Sequence, residues 1–205
     1  MASKKNSSPQ ATPAAGAAKT EGRVTLTHGP FLIVAGRRND TCAAIGYLAN
    51  KLIDQTAAES VEAAIEALIE TLDQRTAEQR ELRVDGVPTE TEYREAIAVL
   101  AAKMSKRFKA MLATHCRQPN AASTMHDLAR RFEVAEKTAA LDYGKLARGL
   151  TGLLDFAPQN EDLDRKLIPL LSLATLDNVS ESGRPILRLR PELVGALRTS
   201  QQIEV

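Results

Sequence analysis

The sequence predicts a fold that is mostly α with a small β part. Apolar residues make up 43% of the 205 residues, whereas aromatic residues make up 3% and Trp is absent. A core of Leu, Ile, Val and Ala suits packed helices better than a large β-sandwich. Apolar residues recur at helical spacing over most of the chain, and alternation with a period of two is confined to short segments. We therefore expect an N-terminal strand pair plus helices, and one hairpin near the C-terminus.

Composition divides the chain into three parts. Residues 1–22 are mainly Ala, Ser, Pro, Lys and Gly, which bury too little apolar area to offset the entropy of ordering, so we predict a disordered tail. A turn at Asp85, Gly86 and Pro88 marks the second boundary. Residues 23–88 are then expected to form an α+β region for oligomerisation or interaction, and residues 89–205 a C-terminal domain.

The N-terminal region is predicted to contain a strand pair followed by two helices. Residues 23–36 show the strand pattern on either side of a Gly-Pro break. The first helix would begin near Asn39 and place on one face Cys42, Ile45, Leu48, Leu52 and Ile53. The second would begin after Ser60 and carry a narrow apolar stripe formed by Val61, Ile65, Leu68 and Leu72. Such a stripe is typical of a helix that packs against a partner helix, which favours a homodimer.

The C-terminal domain is predicted to open with the longest helix of the chain. This helix begins at Thr89 or Thr91 and ends before Pro119. Its apolar positions are Tyr93, Ile97, Leu100, Met104, Phe108 and Met111. Residues 103–117 carry five basic residues and no acidic one, whereas residues 59–95 are strongly acidic. This change in the sign of the charge along the chain favours a basic part that faces nucleic acid. The alternative is that the two segments are solvated helix faces of opposite charge.

Residues 124–154 show the spacing of two helices joined by a short turn. Ser123 or Thr124 is a suitable N-cap, and the first helix ends near Phe132. The second helix runs over residues 137–154, and Ala129 and Ala139 provide the small side chains that a steep crossing needs. The pattern is typical of a helix-turn-helix, and an ordinary pair of packed helices is the alternative.

A β-hairpin is predicted to follow this helix pair. Residues 167–176 form an apolar run of strand length, residues 178–185 are rich in turn formers, and residues 186–190 alternate with a period of two. Pro191 then opens a last helix. A hairpin directly after the second helix is the wing of a winged helix-turn-helix. We therefore expect a C-terminal winged helix-turn-helix.

Three sequence elements of this domain resemble a known group of proteins. The elements are Leu128-Ala129, Tyr143-Gly144-Lys145-Leu146, and Leu189-Arg190-Pro191-Glu192-Leu193-Val194 with Ala196-Leu197. They resemble the winged helix-turn-helix segments attached to HNH-type restriction endonucleases and to phage-encoded DNA-associated proteins, over residues 108–198. The Asn-His-rich metal motif of the nuclease part is absent from the sequence. The resemblance implies DNA association in a phage, mobile-element or defence system, without cleavage.

We expect the second helix and the wing to contact double-stranded DNA. The predicted DNA-binding residues are Lys137, Thr138, Tyr143, Lys145 and Arg148 on the helix, Arg184, Arg188 and Arg190 on the wing, and Lys106 and Arg107 upstream. The predicted function is a dimeric transcription regulator or a DNA-engaging accessory subunit. The alternative is a protein–protein assembly module that uses the winged helix without DNA contact. Asp142 and the formal net charge of +1 favour this alternative.

The sequence predicts no catalytic, metal or cofactor site. The three histidines lack metal-ligand spacing, and the two cysteines, Cys42 and Cys116, belong to no cluster, which is typical of a reducing compartment. No Gly-Lys-Ser/Thr phosphate loop is present. The short apolar run at residues 31–35 cannot span a bilayer. We expect a cytoplasmic protein that is not an enzyme and has no membrane partner.

Overall fold

The computed structural model describes residues 22–158, 168–180, 183–200 and 203–204. Within these ranges, six α-helices and seven strands form, and the strands build two antiparallel sheets of four and three strands. The prediction of a mostly helical chain with a small β part is therefore wrong, since about a quarter of the described residues lie in strands. The predicted disordered tail falls outside the described residues, except for Gly22.

The N-terminal sheet is a four-stranded meander instead of the predicted strand pair. Its strands, β1 (Val24–His28), β2 (Phe31–Arg38), β3 (Thr41–Leu48) and β4 (Lys51–Ala58), pair in the order β1-β2-β3-β4.

The helix predicted after Asn39 is wrong, because this segment forms β3 and β4. The residues of β3 alternate between buried and half-buried, as expected for a strand with one covered face. Asn39 adopts a positive φ of 57° in the two-residue turn between β2 and β3, and is not a helix cap. Ala49 and Asn50, with φ of 48° and 69°, form the next turn. Of the predicted helical face, Cys42 and Leu48 lie on one side of the sheet, and Ile45 and Leu52 lie on the other side.

Helix α1 (Val61–Glu81) covers one face of this sheet. Leu68 and Leu72 of α1 lie over Gly46, where an added Cβ would be 3.5 Å from Leu72. The buried core between the helix and the sheet consists of Phe31, Ile33, Ala35, Ala44, Leu48, Ala64, Leu68 and Leu72. The narrow stripe of α1 thus packs on its own sheet, so the inference that it meets a partner helix is wrong.

The long helix predicted after Thr89 is two helices, α2 (Glu90–Ala101) and α3 (Lys106–Arg117). Thr89 caps α2 through a capping box, in which Glu92 Oε2 accepts from the Thr89 N–H at 2.9 Å. Ser105 caps α3 by accepting from the Phe108 N–H at 3.1 Å. Because a capped start stabilises a new helix more than an uncapped continuation does, the chain breaks at residues 102–105.

The rest of the chain packs around one core with α2 and α3. After β5 (Ala122–Thr124) come α4 (Met125–Arg131), α5 (Glu136–Leu154), β6 (Ala174–Val179), β7 (Pro185–Leu189) and α6 (Pro191–Arg198). The second sheet has the order β5-β7-β6, and β5 is a strand that the sequence did not predict. The apolar run expected as a strand is instead a short 3-10 helix, Ile168–Ser172, before β6. Pro169 explains this difference, because proline cannot donate to a strand ladder; Leu167 lies outside the described residues.

Helices α2 and α5 approach each other closely at Gly149. An added Cβ at this glycine would lie 2.7 Å from a methyl carbon of Leu100, so the Leu100 side chain would have to shift to admit a larger residue. This contact holds the C-terminal half of α5 in the core.

Three arginines at the end of α1 and just after it join the N-terminal sheet unit to the C-terminal part. Arg75 pairs with Glu95 of α2, and Arg80 pairs with Asp155 at 3.3 Å. The third arginine, Arg83, is 11% exposed, and its Nη2 lies 2.6 Å from Glu92 Oε1 and 2.6 Å from the Leu154 carbonyl oxygen. One buried guanidinium therefore fastens the start of α2 to the end of α5.

Replacing this guanidinium should destabilise the fold strongly. In Arg83→Met the Glu92 carboxylate, 6% exposed, stays buried without its partner. We expect the free energy of unfolding to fall by about 3–5 kcal/mol. Arg80→Met is the matched control, because its ion pair is exposed and should be worth less than about 1 kcal/mol. Urea unfolding followed by circular dichroism measures the unfolding free energy of both variants. Equal losses in the two variants would contradict the role of Arg83 as the buried partner of Glu92.

Candidate nucleic-acid interface

One face of α5 is exposed and basic. Lys137, Lys145 and Arg148 lie on it together with Leu141, at steps of four, four and three residues along the helix. The opposite face is buried in the core through Ala139, Tyr143, Leu146, Ala147, Leu150 and Leu154. Because one helical turn takes 3.6 residues, this sequence spacing separates a core side from a solvent side.

The turn before α5 sets the angle between α4 and α5. The Glu133 N–H donates to the Arg130 carbonyl oxygen at 3.3 Å, and the Val134 N–H donates to the Ala129 carbonyl oxygen at 3.0 Å. Glu133 has a φ of 51°, so these bonds form a Schellman motif that ends α4. Val134 then packs against the core, which directs α5 across α4 with its basic face outward.

A buried histidine joins α5 to α3 and to the second sheet. His115 of α3 is fully buried, and its Nδ1 lies 2.8 Å from the Tyr143 hydroxyl on α5. Its Nε2 lies 3.0 Å from the Leu187 carbonyl oxygen on β7. Since a carbonyl oxygen only accepts, Nε2 carries the proton and Nδ1 accepts from Tyr143. Burial lowers the pKa of His115 to about 4, so the ring is neutral near pH 7.

Tyr143 is therefore part of the core and not of the surface. Its ring packs edge-on against Phe108, with 5.3 Å between the ring centroids, and burial raises the pKa of its hydroxyl. The prediction that Tyr143 is exposed for a DNA contact is wrong. The physical reason is its position on the helix, two residues from the exposed Leu141 and close to 180° away from the basic face.

The three arginines predicted on the wing lie in different surroundings. Arg190 donates from Nε to the Leu171 carbonyl oxygen at 2.8 Å, and its guanidinium lies 5.1 Å from the ring centre of Phe156. It therefore holds the end of β7 against the core, and its predicted DNA contact conflicts with these bonds. Arg188 is half-buried in the middle of β7, opposite Thr175 and Ala122. Arg184 is half-buried in the turn before β7, where its N–H donates to Ser180 Oγ at 3.1 Å.

The start of α3 adds basic groups next to α5. Lys106 and Arg107 are exposed in the first turn of α3, which has no acidic residue. Basic side chains at a helix N-terminus oppose the helix dipole, so they do not serve the stability of α3. Lys103 and Lys145 line one groove of about 370 Å³ between the start of α3 and α5. Lys103, at the upstream end of the basic run, therefore lies beside Lys145 of α5, in a groove that Asp142 also lines.

Acidic side chains border this basic surface. Asp142 lies 3.9 Å from Lys145 and is half-buried, and Glu136 pairs with His126 at 3.3 Å. Thr138, another predicted contact, is half-buried. Of the predicted contacts, the exposed cations are Lys137, Lys145 and Arg148 on α5 and Lys106 and Arg107 in the first turn of α3.

Within the described ranges, no group of three His, Cys, Asp or Glu side chains is arranged to hold a metal ion. Both cysteines are buried, and burial raises the pKa of Cys116. No helix of the described part is long and apolar enough to cross a bilayer.

No protein-family model, curated protein or solved structure gives a significant match to this chain. The resemblance to segments of HNH-associated and phage-encoded proteins therefore stays a prediction.

Two features of the site had sequence signals that our reading did not use. Thr89 and Glu92 have the spacing of a capping box, which marks the true start of α2. Tyr143 lies at a core step between Ala139 and Ala147, and this spacing predicts burial. His115 has no such signal, because its partners lie 28 and 72 residues away along the chain.

The lowered pKa of His115 should make the folded protein less stable as the pH falls. The folded pKa of about 4 is below the usual 6.5, so the unfolded state binds the proton first. The stabilisation is full above pH 6.5 and is lost between pH 6.5 and 4, with a total of about 3 kcal/mol.

His115→Gln removes this titration and should flatten the pH dependence of the unfolding free energy over that range. His126→Gln, at an exposed histidine, is the control and should leave the slope unchanged. Urea unfolding at several pH values measures the slopes. Identical slopes for wild type and His115→Gln would show that the buried ring does not titrate as described.

Proposed function

We propose that the C-terminal part of this chain binds double-stranded DNA as a winged-helix unit. The order of its elements, α3, β5, α4, α5, β6 and β7, with β7 between β5 and β6, supports this proposal. In such a unit the second helix of the helix pair enters the major groove, and the hairpin contacts the backbone beside it. Helix α5 is then the recognition helix, and the β6–β7 hairpin is the wing.

The observation that carries the proposal is the exposed basic face of α5. The 19 residues of α5 span roughly 28 Å, enough to cross the major groove. Lys137 lies in the first turn, where a recognition helix meets base edges, and Lys145 and Arg148 lie further along, where phosphates pass. Because Leu150, Leu146 and Tyr143 fill the core side, no rearrangement is needed to present these cations.

The basic first turn of α3 extends the proposed contact. Lys106 and Arg107 are exposed, and Lys103 shares a groove with Lys145. Cations in the first turn of a helix are suited to a phosphate, because the positive end of the helix dipole favours the same anion. Contacts of this kind increase affinity without reading sequence, and they steepen the dependence of binding on salt.

In the cell, we propose a cytoplasmic, dimeric regulator or DNA-engaging accessory subunit. The setting of a phage, mobile element or defence system rests on the sequence resemblance alone. The absence of a recognisable nuclease motif in the sequence favours binding without cleavage.

A protein–protein assembly module is the second candidate, and one observation favours it. Leu141 is 51% exposed in the middle of the basic face, between Lys137 and Lys145. An exposed leucine flanked by cations suits a partner with an apolar groove and an acidic rim. It also suits contact with thymine methyl groups, so Leu141 is compatible with both candidates.

Charge reversal on α5 tests the DNA proposal. Lys145→Glu/Arg148→Glu should weaken binding to a fluorescent 20-bp duplex of random sequence by more than tenfold at low salt, because two phosphate contacts become repulsive. The slope of log affinity against log salt should flatten by up to about two. Fluorescence anisotropy titrations measure both quantities.

The matched control is Arg37→Glu/Lys51→Glu, which makes the same charge change on the N-terminal sheet and should leave most of the affinity intact. Equal losses in the two double variants would indicate non-specific attraction to total charge. If the wild-type chain fails to bind the duplex even at low salt, the assembly module becomes the favoured function.

A further inference from the structure

The N-terminal sheet has one face that α1 does not cover. On this open face lie the side chains at positions Thr25, Thr27, Leu32, Val34, Ala43, Ile45, Tyr47, Leu52, Gln55 and Ala57. Directly paired residues of a sheet share a face, and the alternate residues Ile33, Ala44 and Leu48 are those buried against α1. The assignment of the open face therefore follows from the strand register.

The open face is apolar where a solvated sheet face is ordinarily polar. Leu32, Tyr47 and Leu52 form one continuous row across β2, β3 and β4, and Val34 and Ile45 form the next row. Leu32 is 41% exposed and Leu52 is 51% exposed. Such a patch of adjacent large apolar side chains is typical of an interaction surface.

The face carries no charge among these ten positions. Counting in steps of two along β2 from Val34, the first charged residue is Arg38, which pairs with Thr41 beside the β2–β3 turn. By contrast, the exposed side of α1 carries Glu62, Glu66 and Glu70 at four-residue steps. Two copies would repel one another across α1, but they would meet across the open face without like charges in contact.

The parts of the chain outside the described ranges do not suit this face. Residues 1–21 contain no Val, Leu, Ile, Phe or Tyr. Residues 159–167 include five charged residues, and they join α5 to the 3-10 helix of the C-terminal core. The large apolar side chains of these two segments are Met1, Leu163 and Leu167, too few to match the rows of the open face.

We infer that the open face binds the open face of a second copy of this chain, forming a two-sheet sandwich. Four strands at a spacing of about 4.8 Å and a length of roughly 25 Å give about 500 Å² of projected face per copy. Two copies then remove at least roughly 1,000 Å² from water, which reaches the size of a specific interface. The inference does not rest on DNA binding, and its test contains no DNA, so the two can fail separately.

The experiment measures the molar mass of the full chain by size exclusion with light scattering. We expect the wild type to elute as a dimer at about 50 µM, and Leu32→Lys/Leu52→Lys to elute as a monomer, with a dissociation constant raised at least tenfold. The two leucines are exposed, so charges there are compatible with the folded monomer, which circular dichroism checks. Leu32→Thr/Leu52→Thr, which places β-branched polar side chains that suit strands at the two positions, should also weaken the dimer.

The matched control is Leu82→Lys/Val84→Lys, because these residues are 71% and 75% exposed in the loop after α1, away from the sheet. This variant should remain a dimer. Three results would overturn the inference: a monomeric wild type, a dimer that persists in Leu32→Lys/Leu52→Lys, or a control that also dissociates.

Discussion

The C-terminal part depends on the hydrogen bonds of one neutral, buried histidine. His115 links three elements, since it lies on α3, accepts from Tyr143 on α5 and donates to the Leu187 carbonyl on β7. A buried donor or acceptor without a partner costs about 1–3 kcal/mol, so the three elements are held in one relative position. This position decides which side of α5 faces solvent. The basic face is therefore exposed because the opposite side of the helix is fastened to His115.

The structure separates two kinds of surface between two cores. The N-terminal sheet and α1 have their own apolar core, and the remaining helices and the second sheet have another. Arg75, Arg80 and Arg83 join the two parts through ion pairs. The uncharged open face of the sheet and the basic face of α5 consequently lie on different units. A change on one surface should leave the other intact, so the proposed self-association and the proposed DNA binding can be tested independently.

The success of sequence reasoning differed between the two parts for a physical reason. Around α4 and α5, core positions recur at helical steps and Thr124 caps the first helix, so local signals and tertiary packing agree. In β3, Ala43 and Ala44 favour a helix by intrinsic propensity, and only pairing with β2 and β4 selects the strand. The two-residue turns set the register of these hairpins, and the first turn contains Asn39, which was predicted to cap a helix.

The amino-acid sequence by itself determined the elements whose signals are local: the boundaries of the helix pair, the last helix that begins at Pro191, and the basic run from Lys103 to Arg117. Tertiary structure alone decided what each side chain does. Arg190 became a contact to the core, Arg83 became a buried ion-pair partner, and Leu32 and Leu52 stayed exposed on the open face of the sheet. Burial depends on which elements pack together, and those contacts join residues that are far apart along the chain.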